Sequence, residues 1–174
     1  YVKNLTAFYS SLLNDACEEM GFERSSSGTC EYDFIPDPYK AFNRGYTPYF
    51  LTGRERNMAS FDTPKSRGEF IGNAEFTGEK FFTMDFPHDL ANGDGICFFT
   101  DKGVLTGTHI NMVRNEKVFP KEMTGIKKGM TIFRNRDLKF NQRVERSRSK
   151  RKISVILTLS QNGEETICEA VDEE

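Results

Sequence analysis

The sequence predicts a mainly β (α+β) chain with one N-terminal helix, an irregular aromatic-rich region, a small β-barrel and a C-terminal hairpin. Helical spacing of apolar residues is confined to residues 3–20. Short apolar runs separated by Gly, Asn and Asp turns begin near Gly68, as is typical of β-structure. We therefore expect three units: a helix and loop region at 1–67, a barrel at 68–136, and a basic connector with a truncated hairpin at 137–174.

Residues 3–20 are expected to form an amphipathic helix that ends at Gly21, a residue suited to the left-handed position after a helix. Apolar residues recur at spacings of three and four along it. They are Leu5, Phe8, Tyr9, Leu12, Leu13, Ala16, Cys17 and Met20. Because the opposite face is mildly polar and not basic, we expect this apolar stripe to be core rather than a ligand or membrane surface.

Residues 27–72 are an aromatic segment punctuated by proline and glycine. A long loop of this composition is usually folded and often functional. Its cations can pair with a carboxylate or phosphate, and Tyr46 and Tyr49 can stack on a base. The candidate substrate-binding residues here are Arg44, Tyr46, Arg54 and Arg56. In the alternative interpretation, Arg44 caps loop carbonyls and Tyr46 fills the local core.

From Gly68 the sequence predicts short strands, which favour a closed barrel over an open sheet because closure removes exposed edges. The expected strands are 69–76, 80–86, 95–100, 104–113 and 130–134. Two turns, 90–94 and 126–130, share an apolar anchor followed by a glycine before an apolar strand. That arrangement resembles the small six-stranded barrels of translation factors. No internal repeat is evident in the sequence.

Residues 137–152 are expected to be a charged connector, followed by a hairpin around the Asn162-Gly163 turn. An isolated hairpin is marginally stable, so it either docks on the barrel or begins another domain. Residues 127–152 carry eleven Lys/Arg against two Asp/Glu, whereas the remainder has net charge −11. This run is either a solvated connector or a phosphate-binding surface. Its candidate residues are Arg143, Arg146, Arg148, Lys150 and Arg151.

The segment Phe42–Thr47, followed by Phe50–Gly53 and Ser60–Lys65, resembles the collagenase-associated domain of peptidase family U32. In that family the domain follows a main catalytic barrel. Members are named as collagenase-like proteases, but relatives resembling this chain are associated with hydroxylation of a ribosomal RNA base. Those relatives hold a cysteine-bound iron–sulfur cluster in the barrel domain. The resemblance implies a longer parent protein whose catalytic barrel, and any iron–sulfur cluster, lie outside these residues.

The sequence offers little catalytic machinery. The four cysteines, Cys17, Cys30, Cys97 and Cys168, are widely spaced, and only His88 and His109 are available as imidazole ligands. We therefore expect no metal, no cofactor and no catalytic residue here, with reduced thiols in a cytoplasmic protein. No apolar run is long enough to span a bilayer. Cys30, in the aromatic segment, is the one cysteine kept as a functional candidate.

These observations together predict a non-catalytic accessory region that binds or positions a macromolecular substrate, structured RNA or protein, for the parent's catalytic barrel. Two alternatives remain at this point. One is a self-sufficient peptide-bond hydrolase that uses Cys30 or Cys97 with His88 or His109. The other is a structural domain that only docks on the parent barrel.

Overall fold

The computed structural model describes residues 1–23, 26–54, 56 and 58–172, and it confirms the predicted fold class. An N-terminal helix is followed by a small closed barrel, a second helix and a C-terminal hairpin. The helices are α1 (Val2–Met20) and α2 (Leu138–Arg146), with a short 3₁₀ helix at Pro38–Lys40. The strands are β1 (Thr29–Glu31), β2 (Glu69–Thr77), β3 (Phe82–Met84), β4 (Gly95–Phe99), β5 (Leu105–Arg114), β6 (Lys117–Pro120), β7 (Thr131–Arg136), β8 (Lys150–Lys152), β9 (Val155–Asn162) and β10 (Glu165–Asp172).

Helix α1 ends where predicted, at Gly21 with φ 66°, but the expectation that its apolar stripe is core is wrong. Its buried residues are Asn4 and Ala7. The Asn4 amide donates to the Asp37 carbonyl at 2.6 Å and accepts the Asp37 N–H at 2.9 Å, which turns this side inward. Much of the apolar stripe is consequently exposed: Tyr9, Leu12, Leu13 and Met20.

Six antiparallel strands close the barrel in the order β2-β3-β6-β5-β4-β7. One of them, β6, was not expected from the sequence. It is joined to β5 by Asn115-Glu116, whose φ angles of 48° and 62° give the twist of a two-residue hairpin turn. An Asn-Glu pair is a weaker hairpin signal than Asn-Gly. The barrel interior consists of Ala74, Phe82, Met84, Leu90, Ile96, Phe98, Ile110, Val118, Ile126 and Ile132.

The barrel contains a structural repeat that is not evident in the sequence. Its strand order is unchanged when β2, β3 and β4 are exchanged with β5, β6 and β7. Buried residues of the first half have buried counterparts 36 positions later: Ala74 and Ile110, Phe82 and Val118, Met84 and Pro120, Leu90 and Ile126, Ile96 and Ile132, Phe98 and Arg134. Most pairs differ in size or chemistry, so the repeat shows in burial and topology rather than in residue identity.

The expected charged connector is instead a helix and a strand. Helix α2 packs Phe140 and Val144 onto Ala7 of α1 and Phe34, forming a second small core. Strand β8 pairs with β1, so that Lys150 lies opposite Glu31. A helix this short is marginal by itself, so its stability comes mostly from packing its apolar side chains on a partner surface. The three-unit division stays a prediction, although residues 138–152 pack on the N-terminal region.

The C-terminal hairpin is confirmed. Strands β9 and β10 pair from Val155 opposite Asp172 to Asn162 opposite Glu165, and Gly163 lies in the turn with φ 67°. All residues of both strands are exposed. Across the part of the chain that the structure describes, no helix is long and apolar enough to cross a membrane.

Candidate nucleic-acid interface

Helix α2 is fixed at both ends by polar contacts. The Asp137 carboxylate accepts the Phe140 N–H at 2.9 Å and so caps the first turn. At the other end, the Lys3 ammonium donates to the carbonyls of Val144 at 2.9 Å and Ser147 at 2.8 Å. Cations near a helix C-terminus are also favoured by the helix dipole. The position of the helix is therefore set by contacts from α1 as well as by its own sequence.

A second face of α2, about 110° around the helix axis from Phe140 and Val144, is basic. Lys139, Arg143 and Arg146 follow one another at spacings of four and three, which places them on one helix face. With Gln142, Asp33 and Ser147 they line an open groove of about 360 Å³. All three cations are exposed. This face can present several guanidinium and ammonium groups to an anionic polymer.

Strand β8 supplies further exposed cations. Lys150, Arg151 and Lys152 are all exposed and pair with β1. Arg151 Nε donates to the Ser27 carbonyl at 3.0 Å, and Lys152 forms an ion pair with Glu31 at 2.6 Å. Two of the three cations thus hold the ribbon together, whereas the Lys150 side chain has no partner among the described residues.

The helix face and the strand lie next to each other. Arg143 Nε donates to the Asp33 carbonyl at 3.0 Å, and Asp33 is two residues beyond Glu31, the β1 residue opposite Lys150. Arg148 is exposed in the short segment between α2 and β8. We call the resulting region the α2–β8 surface and define it as Lys139, Arg143, Arg146, Arg148, Lys150 and Arg151. Lys139 was not among the sequence-predicted candidates, although its four-residue spacing from Arg143 is visible in the sequence.

Arg134, which belongs to the same basic run, does not contribute to this surface. It is 3% exposed and lies among four carboxylates. Its guanidinium contacts Glu69 at 2.7 Å, Asp89 at 2.9 Å, Asp137 at 3.5 Å and Asp94 at 3.6 Å. Removing a guanidinium from water costs several kilocalories of solvation free energy, so a buried arginine is tolerated only when carboxylates pair with it.

The carboxylates around Arg134 also attach α2 to the barrel. The Asp94 carboxylate accepts the Leu138 N–H at 2.9 Å, and Lys40 contacts Asp137 at 2.7 Å. Burial favours the neutral acid at Asp137, but the Lys40 hydrogen bond, the Phe140 N–H and the Arg134 charge outweigh it and lower its pKa. The first turn of the basic helix is therefore held by side chains of three other segments: Lys40, Asp94 and Arg134.

The four candidates of the aromatic segment fall into two pairs. The Tyr46 hydroxyl donates to the Pro38 carbonyl at 2.7 Å, and its ring packs edge-on against Tyr39. The Arg44 guanidinium lies over the Phe42 ring, 5.5 Å from its centroid. Arg54 and Arg56 are exposed and have no partner within the described ranges. Tyr46 and Arg44 thus make local structural contacts, while the role of all four in binding stays a prediction.

The cysteines and histidines have separate surroundings. Burial raises the pKa of the Cys97 thiol to about 11, and its Sγ donates to the Arg67 carbonyl at 3.2 Å. His88 Nδ1 accepts the Leu90 N–H at 3.3 Å, and burial lowers its pKa. Cys30 is exposed on β1, opposite Arg151. Among the described residues, no group of three or more His, Cys, Asp or Glu side chains is arranged to hold a metal ion.

The whole chain is similar to an enzyme that modifies ribosomal RNA. It aligns with the 23S rRNA 5-hydroxycytidine C2501 synthase of Escherichia coli (strain K12) at 32% identity over 184 positions, covering 100% of this chain. The chain spans 28% of the length of that relative. The relative belongs to the U32 family, which agrees with the resemblance seen in the sequence, while the match to the collagenase-associated domain stays a prediction.

The other two comparisons found nothing. No family model matches the chain. No solved structure matches it either.

Proposed function

We propose that this chain is a non-catalytic, RNA-binding accessory region of a larger protein that modifies ribosomal RNA. The observation that carries the proposal is the α2–β8 surface in a chain whose whole length aligns with part of such an enzyme. The modification chemistry, and any iron–sulfur cluster, belong in this account to a catalytic barrel outside these residues. The role of the accessory region is to hold structured RNA against that barrel.

The distribution of charge supports an RNA substrate. The chain as a whole has net charge −2, so that general electrostatic attraction to RNA is weak. The side chains of Arg146, Arg148 and Lys150 are nevertheless exposed, and none of them has a partner in the described part of the chain. Cations that make no internal contact lose no structure when they bind phosphate, and each releases condensed counterions from the RNA. Binding is therefore expected to be local and dependent on salt.

The experiment is a binding titration of the chain with structured fragments of 23S ribosomal RNA at low salt. The variant is Arg146→Gln, Arg148→Gln and Lys150→Gln combined, since none of these three side chains supports the fold by a described contact. The matched control is Lys80→Gln, Lys102→Gln and Lys128→Gln combined, which makes the same charge change on exposed barrel positions. We expect the first variant to lose about tenfold or more in affinity and the control to lose little.

Equal losses for the two variants would contradict a local binding face, because they would reflect net charge alone. Binding to a protein substrate, or peptide-bond cleavage that depends on Cys30 or His88, would favour the hydrolase alternative. A docking role has its own support in the exposed apolar stripe of α1 and in the exposed hairpin. It predicts that neither variant changes RNA affinity and that the chain instead binds the catalytic barrel.

A further inference from the structure

The loop at residues 48–53 is a small ordered turn that presents aromatic rings to solvent. The Leu51 N–H donates to the Pro48 carbonyl at 3.0 Å, and the Gly53 N–H donates to the Phe50 carbonyl at 3.4 Å. The Tyr49 N–H donates to Thr47 Oγ1 at 3.3 Å. The turn is thus closed by its own hydrogen bonds. We call residues 48–53 the aromatic tip.

Both rings of the aromatic tip are exposed to solvent. Tyr49 is 62% exposed and Phe50 is 49% exposed, and their centroids lie 4.2 Å apart in an edge-to-face arrangement. Tyr49 has φ 52°, a left-handed conformation that is rare for a bulky side chain and that is kept here by the turn around it. An exposed aromatic pair offers ring surface on which another planar group can stack.

The sequence on either side of the aromatic tip is positively charged. Residues 44–67 carry five Lys/Arg against two Asp/Glu, for a net charge of +3 in a chain of net charge −2. Arg44, Arg54 and Arg56 are exposed beside it in sequence. Aromatic rings combined with cations are the features by which proteins bind single-stranded nucleic acid, since every base has a stacking face and every nucleotide a phosphate. An apolar protein partner would offer no anionic groups to pair with the excess cations.

We infer that the aromatic tip stacks on unpaired bases of an RNA, with Tyr49 and Phe50 as the stacking residues. This inference rests on the proposed function and deepens it by naming the class of substrate: RNA that presents unpaired bases, as in a loop or bulge, rather than a continuous duplex. Bases inside a duplex have no free face for a ring. The α2–β8 surface contacts phosphates in either form of RNA, whereas the aromatic tip distinguishes between them.

The sequence permits a direct test because it contains no tryptophan. Phe50→Trp places a single indole in the aromatic tip, and a stacked base quenches indole fluorescence. Phe76→Trp is the matched control, at a barrel position 53% exposed and packed on Phe81. Each variant is titrated with a single-stranded oligouridine of about twelve nucleotides and with an RNA duplex of the same length. We expect saturable quenching for Phe50→Trp with the single strand only, and none for Phe76→Trp.

A second arm measures affinity directly. Replacing Tyr49 and Phe50 together by Ala is expected to weaken single-strand binding about fivefold or more, with the salt slope and the duplex affinity unchanged. Salt-dependent RNA binding that is indifferent to this replacement, or equal quenching by duplex, overturns the inference and leaves the proposed function intact. Absence of any RNA binding by the unsubstituted chain overturns both. Retained RNA affinity combined with lost binding to a protein partner would assign the tip to protein docking.

Discussion

Gly93 and Gly129 occupy equivalent positions in two copies of one barrel turn. The Gly93 N–H donates to the Ile110 carbonyl at 2.8 Å, and the Gly129 N–H donates to the Ala74 carbonyl at 2.7 Å. The strand residue returns a bond to the residue after each glycine, 2.9 Å in both copies. Both glycines have positive φ, 89° and 80°. The two turns that look alike in the sequence therefore form the same hydrogen-bonded turn in the two halves of a pseudo-symmetric barrel.

The repeat is broken where the basic helix attaches. Phe98 fills the barrel in the first half, and its counterpart in the second half is Arg134. Arg134 contacts Asp94 and Asp137, whose carboxylates accept N–H groups from the first turn of α2. This one difference between the two halves allows β7 to hold the first turn of the candidate RNA-binding helix in place.

Removal of the Arg134 charge is expected to destabilise the fold strongly. In Arg134→Met the buried Asp94 carboxylate loses its cation and Asp137 keeps only its contact with Lys40, and loss of one partner costs about 3–5 kcal/mol in comparable buried pairs. The free energy of unfolding, measured with urea, reports this loss. The control is Lys127→Met, which removes an exposed ion pair with Asp101 and is expected to cost about 1 kcal/mol or less. Similar values for the two variants would contradict the anchoring role of Arg134.

Gly68 is expected to tolerate no side chain. Its φ is 77°, and an added Cβ would lie 2.1 Å from the backbone oxygen of Arg134. Gly129 has a similar φ of 80° with nothing within 4 Å, so it isolates the conformational cost. We expect Gly129→Ala to lose about 1–2 kcal/mol and Gly68→Ala about 3 kcal/mol or more, because overpacking adds to the same strain. Equal losses on chemical denaturation would show that the close approach does not matter.

The buried Cys97 thiol is expected to lower the free energy of unfolding at alkaline pH. Its thiol has a pKa of about 11 in the folded chain against an ordinary value of 9.0. Between these values the unfolded chain has lost the proton that the folded chain keeps, so stability falls as pH rises from about 9 to 11 and is unaffected below. The loss is at most about 3 kcal/mol.

The measurement compares the free energy of unfolding of the chain with that of Cys97→Ala between pH 8 and 11. Other groups titrate in both proteins, so only the difference between the two curves reports Cys97. That difference should change steadily above pH 9 in favour of the alanine variant. Parallel curves would mean that Cys97 ionises normally in the folded chain.

The sequence predicts local features of this fold well and long-range packing poorly. The end of α1 at Gly21 and the hairpin turn at Gly163 follow from residue-level chemistry. Strand β6 was missed because Asn115 and Glu116 adopt positive φ without a glycine. The stripe of α1 was misassigned because a polar residue, Asn4, selects the buried face through its bonds to Asp37, a contact between residues 33 positions apart.

The candidate site, like the fold, was predicted well in its local features and poorly where long-range packing matters. The run of basic residues at 127–152 is obvious in the sequence. Which of its side chains become buried, bond to the backbone or stay without a partner is not. Arg134 becomes buried, Arg143 and Arg151 bond to backbone carbonyls, and Arg146 and Lys150 stay exposed. The docking of Phe140 and Val144 on Ala7 and Phe34 determines which cations of α2 point outward, and no local pattern encodes that partner.

The most direct test of the central claim is the salt dependence of RNA binding. The logarithm of the affinity for a structured 23S ribosomal RNA fragment is plotted against the logarithm of salt concentration. The unsubstituted chain is compared with the variant in which Arg146, Arg148 and Lys150 are replaced by Gln. We expect a slope shallower by about 2–3 in the variant, because three phosphate contacts are lost. An identical slope would contradict an RNA-binding role for the α2–β8 surface.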